Sequence, residues 1–433
     1  MLSGKDILIL GMMIFALFLG AGNIIFPPME GFLAGKNWLI SASGFVLTGV
    51  LMPFITLVVV TLIGRGEVLS HDLPKWVEIA FWVILYLVIG STFAMPRVTN
   101  VAYEMGWQPL NLTEQSHYNH FIFAAIFNII GMFFMLKRST IITSVGKYMT
   151  PALLILLIVV AIGVITAPLS DIVAPNTSHA DGKAFSAGLI SGYQTMDVLA
   201  ATAFGGIVAR ALAAKGVSDK KKIFKYTLIA GLISVLLLTG LYFSLFYLGA
   251  TSQQVAFNAT NGGQIFSRYI DVLFGTYGVW IMSGIVILAN MTTLVGVTSA
   301  CADYFSKFST RLTYPFWVVV FTIMTTIISE TGLDNLLRIT IPALLLIYPV
   351  AIMLVVLQLL RPYLPSLKLS YNFVIGITFV FSAIDALNHL GIIPESINQH
   401  LGQLPLYDNG LAWLIPAFGV LLLTFIVGKF TTK

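Results

Sequence analysis

Long, uninterrupted runs of apolar residues constrain this chain more than any other feature of its sequence. The segments PALLILLIVVAIGVITAP (151–168) and YTLIAGLISVLLLTGLYFSLFYLG (226–249) match the length of about 20 residues with which a helix crosses a bilayer. A transmembrane β-barrel would instead alternate apolar and polar positions in segments of about 10 residues. Charged residues make up only 9% of the chain, against about 25% in a soluble domain. We therefore predict an all-α polytopic membrane protein.

The apolar runs predict twelve transmembrane helices, which places both termini on one side of the membrane. Their approximate bounds are 6–29, 38–63, 76–96, 119–136, 142–166, 185–209, 225–249, 275–302, 313–330, 336–360, 371–391 and 410–428. With the termini in the cytoplasm, eighteen of the 23 Lys and Arg residues lie on the cytoplasmic side, as the positive-inside rule requires. The other five fall in outer loops and are Lys36, Arg97, Lys183, Arg268 and Arg338. The basic stretch 215–225 either anchors this topology or binds anionic lipid.

Span one is interrupted at its middle by residues that weaken a helix. Its sequence GMMIFALFLGAGNIIFPPMEG places Gly20, Ala21 and Gly22 together, followed by Asn23 and Pro27–Pro28. Glycine lowers helix stability, and each proline removes a backbone donor. Unwound backbone is tolerated in a membrane only where it is buried in protein or lines a water-filled cavity. A glycine-lined helix contact is the alternative, but Asn23 favours a binding site.

Span six carries the second interruption, a polar centre formed by Ser191, Gly192, Tyr193, Gln194, Thr195, Met196 and Asp197. An acid such as Asp197 at membrane depth is costly and is by default a functional hypothesis, and a structural hydrogen bond to another broken helix is the alternative. Spans one and six are five apart, and paired breaks in two halves of a chain are typical of inverted-repeat secondary transporters. The N-termini of half-helices would offer amides to an anion, and free carbonyls would offer oxygens to a cation.

Span eight has a cluster of hydroxyls in LANMTTLVGVTSACADYF: Thr292, Thr293, Thr298 and Ser299. Hydroxyl and carbonyl oxygens are hard ligands that suit a small cation, although most such hydroxyls in a membrane bond back to their own helix. Glycines in uniform spans, such as Gly231, should accept alanine with little effect.

Several other classes of function lack their signature. The chain has no G-x-S-x-G, Walker A, H-E-x-x-H or G-x-G-x-x-G motif, so we expect neither an enzyme nor a nucleotide-driven pump. His117 and His120 form an HxxH pair in a predicted outer loop, where solvated histidines are expected. Cys301 is the single cysteine, which excludes an intrachain disulfide. A channel would need a ring of repeated filter elements. We expect no cofactor and no nucleic-acid partner.

The motifs together resemble the bacterial branched-chain amino acid carriers of the BrnQ type, the leucine/isoleucine/valine:cation symporter family. The resemblance covers the whole chain and rests on FALFLGAGNIIFPP, SGYQTMDVLAATAFG, TTLVGVTSACADYF, FAMPR and GLAWLIPA. It implies a LeuT-like fold in one transmembrane domain, with inverted repeats of five spans at 6–166 and 185–360 and two accessory helices at 371–428. It also implies a bacterial inner-membrane symporter that imports Leu, Ile or Val with Na⁺ by alternating access.

The resemblance further implies a site between spans one, three, six and eight. Its Na⁺ ligands would be Ala16, Leu19, Ala289, Thr292 and Thr293, with Asn23 as ligand of a second Na⁺. Its substrate contacts would be Gly20, Ala21, Gly22, Asn23, Tyr86, Gly192, Tyr193, Gln194 and Thr195. Asp197 would act in gating or coupling. Proton coupling through Asp197 and another small apolar amino acid as substrate remain alternatives. The sequence does not separate Leu from Ile or Val, because one methylene in an apolar pocket discriminates by only about 1–3 kcal/mol.

Overall fold

The computed structural model describes residues 2–110, 118–136, 150–404 and 406–431, and every regular element within them is a helix. Eight helices of this described part are long and apolar enough to cross a membrane, and three shorter helices are also apolar. The prediction of an all-α polytopic membrane protein is therefore confirmed. The beginning of predicted span five, including Lys147, lies outside the described residues. Lys137 and Arg138 of the preceding loop, and His117, lie outside them as well.

The described residues of the first half of the chain form a series of α-helices. In order they are α1 (Gly4–Phe18), α2 (Ala21–Ala34), α3 (Trp38–Val46), α4 (Met52–Ile63), α5 (Lys75–Leu87), α6 (Ala94–Val101), α7 (Asn119–Leu136) and α8 (Thr150–Thr166). Wider, π-helical turns at Leu47–Leu51 and Val88–Thr92 join α3 to α4 and α5 to α6, and a third at Ala102–Trp107 extends α6.

The second half continues in the same way with longer helices. They are α9 (Ala184–Tyr193), α10 (Asp197–Ala214), α11 (Lys220–Ala250), α12 (Gly262–Phe305), α13 (Tyr314–Ser329), α14 (Leu333–Leu360), α15 (Leu367–His389), α16 (Glu395–Leu401) and α17 (Leu414–Thr431). Non-helical angles at Gly275 (φ 57°, ψ −145°) interrupt α12. The predicted loop 250–274 is therefore partly helical, because α12 begins at Gly262, ahead of the point where span eight was expected to start.

The helical hydrogen-bond ladder stops between α1 and α2. Leu19 and Gly20 adopt extended backbone angles (φ −74°, ψ 95° and φ −124°, ψ −166°). Pro27 and Pro28, in contrast, lie inside α2 without ending it. The glycine-rich stretch, and not the double proline, is therefore where the chain leaves the helix.

A second interruption separates α9 from α10. The amides of Gln194, Thr195 and Met196 bond to carbonyls three residues earlier, which closes a tight turn. Met196 has left-handed backbone angles (φ 64°, ψ 15°), which are uncommon for a residue with a side chain. The turn lets α10 begin anew at Asp197.

Glycines bring the backbone of α2 into direct contact with two other helices. A Cβ added at Gly31 would lie 2.0 Å from the carbonyl oxygen of Phe246, and one at Gly249 would lie 2.0 Å from that of Pro28. One at Gly262 would lie 1.8 Å from the Ile25 oxygen. Helices α2, α11 and α12 therefore pack with no side chain between them at these points.

Gly231 is also tightly packed, which contradicts the expectation that alanine would be harmless there. An added Cβ would lie 2.4 Å from a ring carbon of Phe54. Gly240, on the same helix, has nothing within 4 Å of the added atom. An apolar, uniform sequence does not distinguish these two positions, because only the neighbouring helix decides which glycine is needed.

Candidate functional site

A small cavity of about 30 Å³ lies where the two interruptions meet. The α1–α2 junction contributes Gly20, Ala21, Gly22 and Asn23 to its wall, and the α9–α10 junction contributes Thr195, Met196 and Asp197. Thr293 of α12 and Arg97 of α6 also line it. Candidate residues from spans one, six and eight are thus brought together at one place in the fold.

The oxygens expected to bind Na⁺ lie side by side next to this cavity. The Thr292 hydroxyl lies 2.9 Å from the carbonyl oxygen of Ala16 and 2.8 Å from that of Ala289. The Thr293 hydroxyl donates to the carbonyl oxygen of Leu19 at 3.1 Å. Both threonines therefore bond to the end of α1, in addition to the bond that Thr292 makes within its own helix.

The carbonyls of Ala16 and Leu19 are accessible to these hydroxyls because α1 ends beside them. The last carbonyls of a helix have no partner within it. The last amide that bonds to a carbonyl of α1 is that of Leu19, which donates to Phe15 O. The Gly20 amide would be next, but it donates to Asn23 Oδ1 at 3.1 Å. A helix C-terminus carries partial negative charge. Five hard oxygens at such an end suit a small cation.

Asn23 and Asp197 connect the two interruptions. Asn23 Nδ2 donates to Asp197 Oδ2 at 2.7 Å and also to the hydroxyl of Tyr242 on α11. Asn23 and Asp197 are both almost fully buried. This geometry corresponds to a structural hydrogen bond between the α1–α2 junction and the start of α10. It also engages Asn23 Oδ1 with Gly20 N–H, so that oxygen is already an acceptor where it was expected to hold a second Na⁺.

Tyr86 is one of four candidate substrate contacts that do not line the cavity, and the other three are Gly192, Tyr193 and Gln194. The ring of Tyr86 stacks on Tyr304, with ring centres 4.3 Å apart. Both rings line a separate polar cavity together with the ion-paired side chains of Glu67 and Lys307. The part of span three that faces the central cavity comes later in the chain, between Ile89 and Val98.

The polar centre of span six is divided between the cavity and the surrounding packing. Tyr193 stacks on Tyr348 with ring centres 4.4 Å apart, and a Cβ at Gly192 would lie 2.1 Å from the Thr48 hydroxyl. Neither of these two residues lines the cavity, whereas Thr195 does. Thr298 and Ser299, further along α12, have buried hydroxyls without a hydrogen-bond partner among the described residues.

Arg97 was expected in an outer loop, and the structure instead buries it in α6. Arg97 is only 3% exposed and lines the central cavity. Arg97 Nη1 donates to the Gln194 carbonyl at 3.0 Å, and the guanidinium carbon lies 5.5 Å from the centre of the Phe26 ring. Its position is not evident from the sequence, because an arginine at the end of an apolar run ordinarily marks a loop at the membrane surface.

His120 is also less exposed than expected. One ring nitrogen lies 2.7 Å from Glu330 Oε1 and the other 3.0 Å from Asn100 Oδ1. The described residues contain no cluster of three or more His, Cys, Asp or Glu side chains that could hold a metal ion. We therefore assign His120 to helix packing and surface pairing.

Residues 3–431 of this chain match the family model described as branched-chain amino acid transport protein. The chain is 64% identical over 429 residues to the branched-chain amino acid permease BrnQ of Haemophilus influenzae, covering 99% of this chain and 98% of the relative. It is 35% identical over 436 residues to the branched-chain amino acid transport system 2 carrier protein of Pseudomonas aeruginosa, covering 100% and 98%.

Solved structures with the same fold are distant in sequence. Mhp1, a nucleobase-cation-symport-1 family transporter in a closed conformation with bromovinylhydantoin bound, gives a TM-score of 0.64 at 13% identity, covering 99% of this chain and 92% of Mhp1. MhsT in complex with L-phenylalanine gives 0.53 at 14% identity, covering 100% and 99%. Both are LeuT-like transporters. At such identities the likeness shows the fold alone, and that fold is LeuT-like.

The family match therefore spans almost the whole chain, and the relatives named above cover it from end to end. Their names describe permeases and carriers, which move a solute and do not transform it. This chain belongs to the branched-chain amino acid transport protein family, whose members are transporters and not enzymes.

Proposed function

We propose that the protein is a secondary active symporter that imports leucine, isoleucine and valine together with Na⁺. The observation that carries this proposal is the meeting of the Thr292 and Thr293 hydroxyls with the carbonyls of Ala16, Leu19 and Ala289. These oxygens come from two helices far apart in sequence, and they form a compact set at the negative end of α1. The family membership supplies the class of transported solute.

We further propose that the helices form twelve membrane crossings with both termini in the cytoplasm of a bacterial cell. Helices α1 and α2 would together make the broken first crossing, and α9 and α10 the broken sixth. The first five crossings and the next five would be inverted repeats, at about 6–166 and 185–360, with accessory crossings in 371–428. The excess of Lys and Arg in the predicted cytoplasmic loops supports this orientation.

The substrate would bind in the central cavity, with its charged groups at the interruptions. The first turn of α2 offers the backbone amides of Ala21 and Gly22 to a carboxylate. Apolar lining from Phe18, Val98 and Phe204 would surround the branched side chain. The cavity has room for only a few water molecules, so the lining must move for leucine to enter. Alternating access through rearrangement of the broken helices would provide that movement.

Na⁺ and substrate would be coupled because their sites share one short piece of backbone. Leu19 contributes an ion ligand, and Gly20, the next residue, lines the substrate cavity. An added Cβ at Gly20 would lie 2.9 Å from the Thr293 hydroxyl, so the two sites are in contact. An ion that fixes Leu19 would fix the conformation of Gly20, and coupling of this kind is reciprocal.

Asp197 would organise this arrangement by joining the two interruptions through Asn23. The burial of this carboxyl group also favours one alternative, a proton-coupled transporter of another small apolar amino acid. In that case the carboxyl group would itself take up and release the coupling proton.

The deciding experiment measures uptake of labelled leucine into proteoliposomes under an inward Na⁺ gradient or an inward proton gradient, each imposed alone. We expect accumulation with Na⁺ alone and none with protons alone, and competition by isoleucine and valine. Collapse of the Na⁺ gradient with an ionophore is the matched control. Accumulation driven by protons in Na⁺-free buffer would refute the proposed ion, and failure to take up leucine under either gradient would refute the proposed substrate.

A further inference from the structure

We propose that Arg97 binds the carboxylate of the transported amino acid and makes the site selective for zwitterions. The assignment presupposes the amino acid transport proposed above and adds the residue that recognises the anionic end of the substrate. Arg97 belongs to α6, is 3% exposed and lines the central cavity. It is the cationic side chain in the wall of that cavity.

The hydrogen bonds of Arg97 are incomplete within the described part of the protein. A guanidinium group has five N–H donors and no acceptor. One of them, on Nη1, reaches the Gln194 carbonyl at 3.0 Å. Nε is buried without a partner, and no carboxylate of the described residues forms a salt bridge with Arg97, so that Asp197 acts on it only electrostatically from elsewhere in the cavity wall. A buried charge is unfavourable unless it is paired and hydrogen-bonded, so an anion in the cavity would be stabilised.

The first turn of α2 lies directly against this guanidinium group. A Cβ added at Gly22 would be 3.2 Å from Arg97 Nη2 and 3.1 Å from the Thr195 Cα. Glycine is thus what allows Arg97 to approach the end of the helix. The amides of Ala21 and Gly22 have no acceptor within α2, as for every helix N-terminus. Guanidinium and amide donors together form a site for a planar group with two oxygens.

Charge balance in the cavity favours a zwitterion over a simple cation or anion. Arg97 and Asp197 both line the cavity and are equally buried, at 3% exposed. Their formal charges cancel, so an amino acid with one positive and one negative end adds no net charge. Leucinamide, which keeps the ammonium group but lacks the carboxylate, would leave Arg97 without its partner.

A purely structural role for Arg97 makes a different prediction. Its bond to Gln194 O and its position over the Phe26 ring hold α6 against the α9–α10 turn. Loss of these contacts would weaken the binding of every ligand by the same factor. Loss of a carboxylate contact would instead weaken leucine selectively and would not weaken leucinamide.

The test is equilibrium binding of labelled leucine to the purified full-length protein in saturating Na⁺, with unlabelled leucine and leucinamide as competitors. The variants are Arg97→Gln and Arg97→Lys, and Arg268→Gln, in an exposed contact with Asn258, is the matched control. We expect Arg97→Gln to weaken leucine about 10- to 100-fold, as for loss of a charged hydrogen-bond partner. Leucinamide should compete at least as well for Arg97→Gln as for wild type, because the variant removes a positive charge that faces its ammonium group.

The lysine variant keeps the proposal testable if the glutamine variant does not fold. Lysine retains the charge but not the two-pronged geometry, so leucine should bind with intermediate affinity and leucinamide without change. Wild-type affinity for leucine in either variant, or equal weakening of leucine and leucinamide, would overturn the role of Arg97. A wild-type protein that binds no leucine at all would refute the proposed transport function, and the role of Arg97 with it.

Discussion

Removing the hydroxyl of Thr292 should raise the Na⁺ concentration required for transport without disturbing the packing of α12. Valine has nearly the same shape as threonine, and Thr292 is completely buried. Loss of a polar partner to a charged group weakens binding by about 1.5–3 kcal/mol. The variant also lacks the hydrogen bond that this hydroxyl makes when no ion is bound, and that bond is worth about 0.5–1.5 kcal/mol. The net loss of Na⁺-binding free energy is the difference between these two losses, about 1–2 kcal/mol. It corresponds to about a 5- to 30-fold higher Na⁺ requirement.

The assay is uptake of labelled leucine into proteoliposomes at fixed leucine and increasing Na⁺. Thr292→Ser keeps the hydroxyl and should behave almost like wild type. Thr298→Val is the matched control, because its hydroxyl is buried on the same helix but bonds to none of the described residues. If Thr292→Val and Thr293→Val both show the Na⁺ dependence of wild type, these oxygens do not bind the coupling ion.

Three further substitutions test neighbouring parts of the site. Gly20→Ala places a Cβ 2.9 Å from the Thr293 hydroxyl, so it should raise the Na⁺ concentration for half-maximal uptake. Gly240→Ala should have no effect, and equal behaviour of the two variants would contradict the close contact. Asp197→Asn keeps an oxygen that can accept from Asn23, so Na⁺-driven leucine uptake should persist. If wild type shows proton-driven uptake and this variant does not, Asp197 carries the coupling proton instead. Tyr86→Phe should leave the leucine concentration for half-maximal uptake unchanged, and a large increase would place the hydroxyl of Tyr86 at the substrate after all.

The parts of the fold that sequence reasoning captured depend on strong local signals. Apolar runs identify membrane helices because the bilayer requires them over a fixed length. Glycine and the polar residues after it marked the interruption at Gly20, since such residues are unfavourable in a lipid-facing helix. The same reasoning placed the break too broadly, because Pro27 and Pro28 were expected to contribute and instead lie within α2.

The parts that it did not capture depend on contacts between distant segments. Arg97 looks like a loop residue until α6 places it beside Gln194, which is 97 positions away in the chain. Tyr242 lies in a uniform apolar span, and only the packing of α11 against α2 brings its hydroxyl to Asn23. Tyr86 was assigned by family resemblance alone. The π-helical turn at Val88–Thr92, which follows Tyr86, alters the helical register of span three beyond it. No periodicity within a single helix contains this information.

The backbone contacts of α2 determine where this protein can bend. Since the carbonyls of Ile25, Pro28 and Phe246 occupy the places where side chains would stand, α2 cannot slide along α11 or α12 without steric overlap. Rotation of α2 relative to α1 must then be absorbed by the dihedral angles of Leu19 and Gly20. Their peptide units would then act as a hinge, and the Leu19 carbonyl that accepts from Thr293 belongs to it. A cation bound at the Leu19 carbonyl would stiffen this hinge. Occupancy of the ion site would therefore limit how far the whole of α2 can rotate relative to α1.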